Sequence, residues 1–115
     1  MRHEVHALNI HASDANAGTA KEISNLIAPT IYLHQVAAGD AFDLKIQVKV
    51  STPQDSNDDW VDFTVGLIAP TLLALADAAT GAPLPITHVR VYRTSIAAGV
   101  APPYVNVAGF NAHTE

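Results

Sequence analysis

The sequence predicts an all-β chain folded as a single antiparallel β-sandwich, of jelly-roll or immunoglobulin-like type, spanning residues 1–115. Three observations predict it. Several segments alternate apolar and polar residues with the period of two that a strand with one wet face requires. Turn formers such as Ala38-Gly39-Asp40, Thr80-Gly81-Ala82-Pro83 and Ala98-Gly99 separate six or seven such segments at short intervals. Only one stretch, near 71–79, is readable as a short helix.

Taken in order, residues 5–11 and 30–36 form less regular strands. Phe42-Asp43-Leu44-Lys45-Ile46-Gln47-Val48-Lys49-Val50 is the clearest element: Phe42, Leu44, Ile46, Val48 and Val50 line the core, while Asp43, Lys45, Gln47 and Lys49 face water or a partner. The run of turn formers from Pro53 through Asp59 then leads into Trp60-Val61-Asp62-Phe63-Thr64-Val65, whose aromatic and branched residues suit a strand, so the pair reads as a hairpin with a long loop. Residues 67–79 admit two readings. Thr71 can cap a helix that Gly81 terminates, or Leu72, Leu73 and Leu75 can lie in a strand, and periodicity does not arbitrate so short an apolar run. The next strand, Thr87-His88-Val89-Arg90-Val91-Tyr92-Arg93-Thr94-Ser95, puts Val89 and Val91 on one face and His88, Arg90 and Tyr92 on the other. A last strand, 104–110, follows Pro102-Pro103, which suits an edge or the start of a strand.

Composition bounds the function. Of 115 residues, 49% are hydrophobic and 15% charged, which is the balance of a folding chain and not of a disordered one. The net charge is −5 and the basic residues Arg2, Lys21, Lys45, Lys49, Arg90 and Arg93 are scattered, so nucleic acid and anionic membrane surfaces are disfavoured as partners. The first residues lack the apolar core of an export signal, and the most apolar stretch, 65–76, contains Pro70 and falls short of a membrane span. Without cysteine there is no disulfide, thiolate metal site or cysteine nucleophile.

Catalytic and metal chemistry find little footing. Six histidines, His3, His6, His11, His34, His88 and His113, raise a metal site, but none are spaced to converge from one element, and His3 and His6 point to opposite faces of a strand. Asp55-Ser56-Asn57-Asp58-Asp59 imitates the first half of a calcium loop. Trp60 then stands where such a loop needs glycine, and Gly66 where it needs a bidentate glutamate, so an acidic hairpin loop is the better account. No Gly-x-Ser-x-Gly elbow occurs, and Ser95 near His88 is a chance pairing. Asp43 and Asp62 can face each other across the hairpin, but exposed acid pairs are ordinarily solvated. The reading is therefore non-enzymatic, with no catalytic, cofactor or metal residues assigned. Trp60 reads as a core anchor ahead of a sugar-stacking surface. Arg90 and Tyr92, with neighbouring Arg93, are nominated as an interface patch.

The order of Phe42 to Val50, an acidic loop, Trp60-Val61-Asp62-Phe63 and Ile86-Thr87-His88-Val89-Arg90-Val91-Tyr92 resembles small β-sandwich structural proteins of tailed bacteriophages, over residues 40–96. The resemblance implies a virion protein of the capsid decoration, cement or adaptor type. It implies a homo-oligomer docked on a major capsid or other virion protein and assembled in the host cytoplasm. The Ala- and Pro-rich stretch 96–103 and the polar N-terminal stretch suit arms that order on neighbouring subunits, and an edge strand starting near Pro103 suits addition to a neighbour's sheet. A carbohydrate-binding sandwich is the alternative function, resting on Trp60 and the acidic loop.

Overall fold

The computed structural model describes residues 2–8, 18, 20–34, 42–51, 60–96 and 104–111. Among these residues eight strands follow one another: β1 (Arg2–Ala7), β2 (Lys21–Glu22), β3 (Leu26–His34), β4 (Phe42–Lys49), β5 (Val61–Leu67), β6 (Thr71–Ala74), β7 (His88–Ile96) and β8 (Tyr104–Asn111). They form two antiparallel four-stranded sheets, ordered β1-β8-β3-β6 (sheet one) and β2-β7-β4-β5 (sheet two). The first strand pairs with the last, the second with the seventh, the third with the sixth and the fourth with the fifth. That is the pairing of one long hairpin rolled into two layers, so of the two sandwich types the sequence admits, the topology is that of the jelly roll.

Between the layers lies one apolar core. Leu8, Ile31, Leu33, Leu75 and Val107 come from the sheet-one side, and Ile23, Leu44, Ile46, Val89 and Val91 from the sheet-two side, all of them almost fully removed from solvent. Phe63 and Leu73 pack at its margin. The period-two alternation of β4 and β7 fills this layer from two adjacent strands, with Ile46 in register with Val91 and Val48 with Val89. Val50 departs from expectation: it stands one residue beyond β4 and is 44% exposed. The side chain of Phe42 lies outside what is described.

The segment 67–79 holds no helix. Leu72 and Leu73 join β6, in register with Tyr32 and Ile31 of β3, so the backbone groups a helix would have satisfied internally are taken by a sheet ladder. The Thr71 hydroxyl donates to the carbonyl of Ala69 instead of capping a helix. The chain then turns at Asp77, whose carboxylate accepts hydrogen bonds from the amides of Ala79 and Thr80, and Gly81 at φ 73° allows the left-handed step that brings Pro83 opposite Ala76. β8 also differs from one of its predicted placements. It is flanked by β1 on one side and β3 on the other, so it is an interior strand and not an edge available to a neighbour's sheet. An interior strand starting at Tyr104 fits Pro103 directly before it, because the ladder needs no donor until the strand has begun.

One irregularity shapes sheet one. β3 carries a bulge between Ile27 and Thr30, with Ala28 at φ 54° and the Thr30 hydroxyl donating back to the Ala28 carbonyl. Opposite this bulge β8 has Gly109, where an added Cβ would come within 3.1 Å of the Ile27 carbonyl oxygen and the Leu26 Cβ. The glycine is what lets the distorted strand approach its partner.

Candidate interaction surfaces

The alternation that buries one side of each strand turns its other residues outward, and the two outer faces have opposite chemistry. Sheet two presents a polar face. From β7 come His88, Arg90 and Tyr92, and from β4 come Asp43, Lys45, Gln47 and Lys49. Cross-strand register puts Gln47 beside Arg90 on one side and Asp62 of β5 on the other. The Arg90 Nε donates to Gln47 Oε1 at 2.7 Å, the Gln47 Nε2 donates to Asp62 Oδ1 at 3.0 Å, and the Lys45 ammonium donates to Asp62 Oδ2 at 3.2 Å. Rings close over both ends: Arg90 lies 4.3 Å from the Trp60 ring centre, with the Lys49 ammonium at 6.0 Å from the same ring, and the Lys45 ammonium lies 4.6 Å from that of Tyr92. Gln47, expected to face water, is therefore only 8% exposed although it points away from the core.

Of the three residues nominated from sequence, the structure places Arg90 and Tyr92 on this shared outer face. Arg93 is in register with the buried Leu44, on the other side of the sheet. Trp60 is not a core anchor. It is absent from the buried cluster and sits half-exposed on the outer face under Arg90, because it precedes β5 instead of pointing between the sheets. Asp43 and Asp62 do not face each other, since Asp62 pairs with Gln47, four residues along β4 from Asp43.

Three carboxylates are held below their ordinary values by the hydrogen bonds they accept: Glu4, from 4.5, by the Asn111 amide and then His6; Asp62, from 3.8, by Gln47 and Lys45; and Asp77, from 3.8, by the amides of Ala79 and Thr80. A carboxylate whose folded pKa is depressed contributes stability above its unfolded value and loses it as pH falls through the folded one. Thermal stability should therefore fall as pH drops through 4.5 and 3.8 and below, and Asp62→Asn should flatten part of that acid limb. Melting temperature measured against pH for both proteins checks this. Superimposable acid limbs would show that the Gln47–Asp62–Lys45 set carries none of it.

The described histidines are dispersed. His3 and His6 point to opposite faces of β1, as expected, with His3 beside Phe110 and His6 at 3.1 Å from Glu4. Among the described residues, no three His, Cys, Asp or Glu side chains gather as a metal set. His11, His113, the 55–59 loop and the stretch 97–103 lie outside the described residues, as does the side chain of Ser95. A hydroxyl, an imidazole and an acid do meet at Thr87, His88 and Glu22. The Thr87 hydroxyl, however, donates to the Lys49 carbonyl at 3.0 Å and accepts from the Ser51 amide at 3.0 Å. The same hydroxyl is hydrogen-bonded to His88 Nδ1 at 2.9 Å, and Glu22 stands 4.0 Å from Nε2. The group acts as a clasp between the end of β4 and the start of β7.

Sheet one presents the other chemistry, which sequence reasoning missed. Its outward positions, read by register, form cross-strand rows: His3, Phe110 and Ile27; then Val5, Ala108, Thr30 and Ala74; then Ala7, Asn106, Tyr32 and Leu72; then Tyr104 and His34. None of these carries a carboxylate, ammonium or guanidinium, and Val5, Ile27, Tyr32, Leu72, Tyr104 and Phe110 are all exposed, Leu72 by 73%. His34 stacks between Tyr32 at 4.9 Å and Tyr104 at 5.1 Å. A signal was available in the sequence. Tyr104 and Phe110 flank Val105 and Val107, and Leu72 adjoins Leu73, so these strands are apolar in both phases, the pattern of strands covered on both faces. Beside this face, where the 75–87 connection crosses from sheet one to sheet two over the β3 bulge, an open cleft of about 640 Å³ has largely apolar walls that include Ile23, Leu26, Pro29, Leu84 and Ile86.

No protein-family model matches the chain, and neither a curated protein nor a solved structure matches it significantly.

Proposed function

We propose that this chain is a non-enzymatic structural subunit of a virion, a capsid decoration or cement protein that docks on and stabilises a protein shell, with further copies of itself and a major capsid protein as its partners. The observation that carries the reading is the outer face of sheet one: an uncharged sheet surface exposing six large apolar side chains in adjoining rows. An exposed apolar patch of this extent is what a surface covered by another protein presents. Two further points support it by analogy. The jelly-roll order is one that viral capsid domains use, and the segment 40–96 resembles phage structural sandwiches.

The same fold serves lectins, which keeps a carbohydrate-binding module as the alternative. Its main support is weakened, because the Trp60 ring already carries the cations of Arg90 and Lys49. Co-sedimentation with phage heads lacking decoration protein tests the proposal. The wild-type chain should pellet with heads. Wild-type protein that stays in the supernatant at physiological salt overturns the virion reading.

A further inference from the structure

The outer face of sheet one is apolar and uncharged across all four strands. Resting on the reading that this face is covered by protein, we propose that its partner is a second copy of the same face, two sandwiches packing sheet one against sheet one about a two-fold axis.

Four features point to self-pairing. The first is charge. A two-fold contact sets every residue against its own surface, so a charged patch repels itself, whereas the outward rows of β1, β8, β3 and β6 hold no carboxylate, ammonium or guanidinium. Among the described residues, the carboxylates of Glu22, Asp43, Asp62 and Asp77 lie on sheet two or in the turn after β6, so a self-contact here brings none of them together.

The second is area. The exposed parts of Val5, Ile27, Tyr32, Leu72, Tyr104 and Phe110 amount to roughly 600–700 Å², and the small and polar residues between them bring the face to about the 800 Å² per partner of a standard stable interface. The third is relief. The row of small residues Ala108, Thr30 and Ala74 runs between rows that carry Phe110 and Ile27 on one side and Tyr32 and Leu72 on the other. A trough between ridges lets side chains of two such faces interdigitate, as the inner faces of any sandwich do.

The fourth is that the edges of sheet one are closed to the alternative of strand addition. Edge strand β1 turns Glu4 and His6 inward, the Asn111 side chain donating to Glu4, and the other edge, β6, is four residues long. Inward charge and a short strand are the devices by which edges resist pairing. That leaves the face as the surface through which sheet one can associate.

Sedimentation velocity across a concentration series tests the pairing. The wild-type chain should run at twice its 12.1 kDa mass. Leu72→Lys, which sets two ammonium groups into the paired faces, should raise the dissociation constant roughly 100-fold or more. Val65→Lys makes a comparable change at an exposed position of β5 in sheet two and should leave the dimer as it is. Melting curves for both variants establish that they are folded. A wild-type monomer at every concentration overturns the pairing, as does a Leu72→Lys dimer as tight as the wild type. The virion reading fails separately. A monomer that pellets with heads would overturn self-pairing and leave that reading standing, and a dimer that never pellets with heads would uphold the pairing and overturn the reading.

Discussion

Ile46→Ala should cost the fold about 2–5 kcal/mol, because it removes three carbons from a side chain with no solvent exposure and leaves a cavity between layers that cannot close on it. Ile46 sits in the middle of β4, paired with Val91 of β7 on one side and Thr64 of β5 on the other, so relaxation there would have to move three strands together. For a domain whose whole stability is of order 5–15 kcal/mol, this is a large fraction, and urea titration should show a lower midpoint with an unchanged slope. Two controls give the result its meaning. Val50 continues the same alternation, and a reading from periodicity alone would assign it the same importance, but it is 44% exposed. Val61 is 63% exposed on β5, the outer strand of its sheet. Val50→Ala and Val61→Ala should each cost less than about 1 kcal/mol. Equal losses at Val50 and Ile46 would mean that the layer boundary has been drawn in the wrong place.

The contrast between Val50 and Ile46 also marks how far the sequence can be read. β4 and β7 were legible almost to the residue because each lies between two layers of different polarity: core on one side, polar face on the other. Their alternation records that difference directly. β8 was legible in extent, but its rank in the sheet was not, since Pro103 is compatible with either an edge or the start of an interior strand, and only the order β1-β8-β3 decides. The segment 71–79 was undecidable locally. Leu72-Leu73-Ala74-Leu75 satisfies both periods, and the ladder offered by β3 settles the choice, a partner about forty residues away in the chain. The two-residue β2 carries too little pattern to be seen at all.

The candidate surfaces divided in the same way. Arg90 and Tyr92 were placed correctly together because one strand's alternation fixes which of its residues share a face. Arg93 was added by proximity in sequence and falls on the other side for the same physical reason. The apolar face of sheet one was overlooked because its residues are contributed by four strands whose adjacency is non-local, so the patch exists only after the hairpin has rolled up. What the sequence did hold was the double-phase apolarity of the strands, a cue to burial on both sides that needs no knowledge of topology.

Arg90→Ala should cost about 2–4 kcal/mol and shift the emission of the single tryptophan, and the two effects have one cause. The Gln47 side chain is 8% exposed, and its carbonyl oxygen is held by the Arg90 Nε at 2.7 Å. Removing the guanidinium leaves that buried acceptor unpaired, which costs about 1–3 kcal/mol, and takes away the cation over Trp60, worth roughly 0.5–2 kcal/mol more. With its cover gone, the Trp60 ring meets more water, so its fluorescence should move to longer wavelength in the folded protein. Arg90→Lys is the informative companion. An ammonium restores the charge but not the planar stack on the ring together with a fixed Nε–H, so it should recover only part of the stability. Full recovery by lysine would reduce the arrangement to simple charge. A loss under about 0.5 kcal/mol with unmoved emission would mean that Arg90 is held for a partner, as its nomination from the sequence supposed, and not for the outer layer of the fold. The two roles thus make opposite demands on one side chain: a residue that locks Gln47 and roofs Trp60 is already spent, and a residue kept for a partner should be removable without disturbing either.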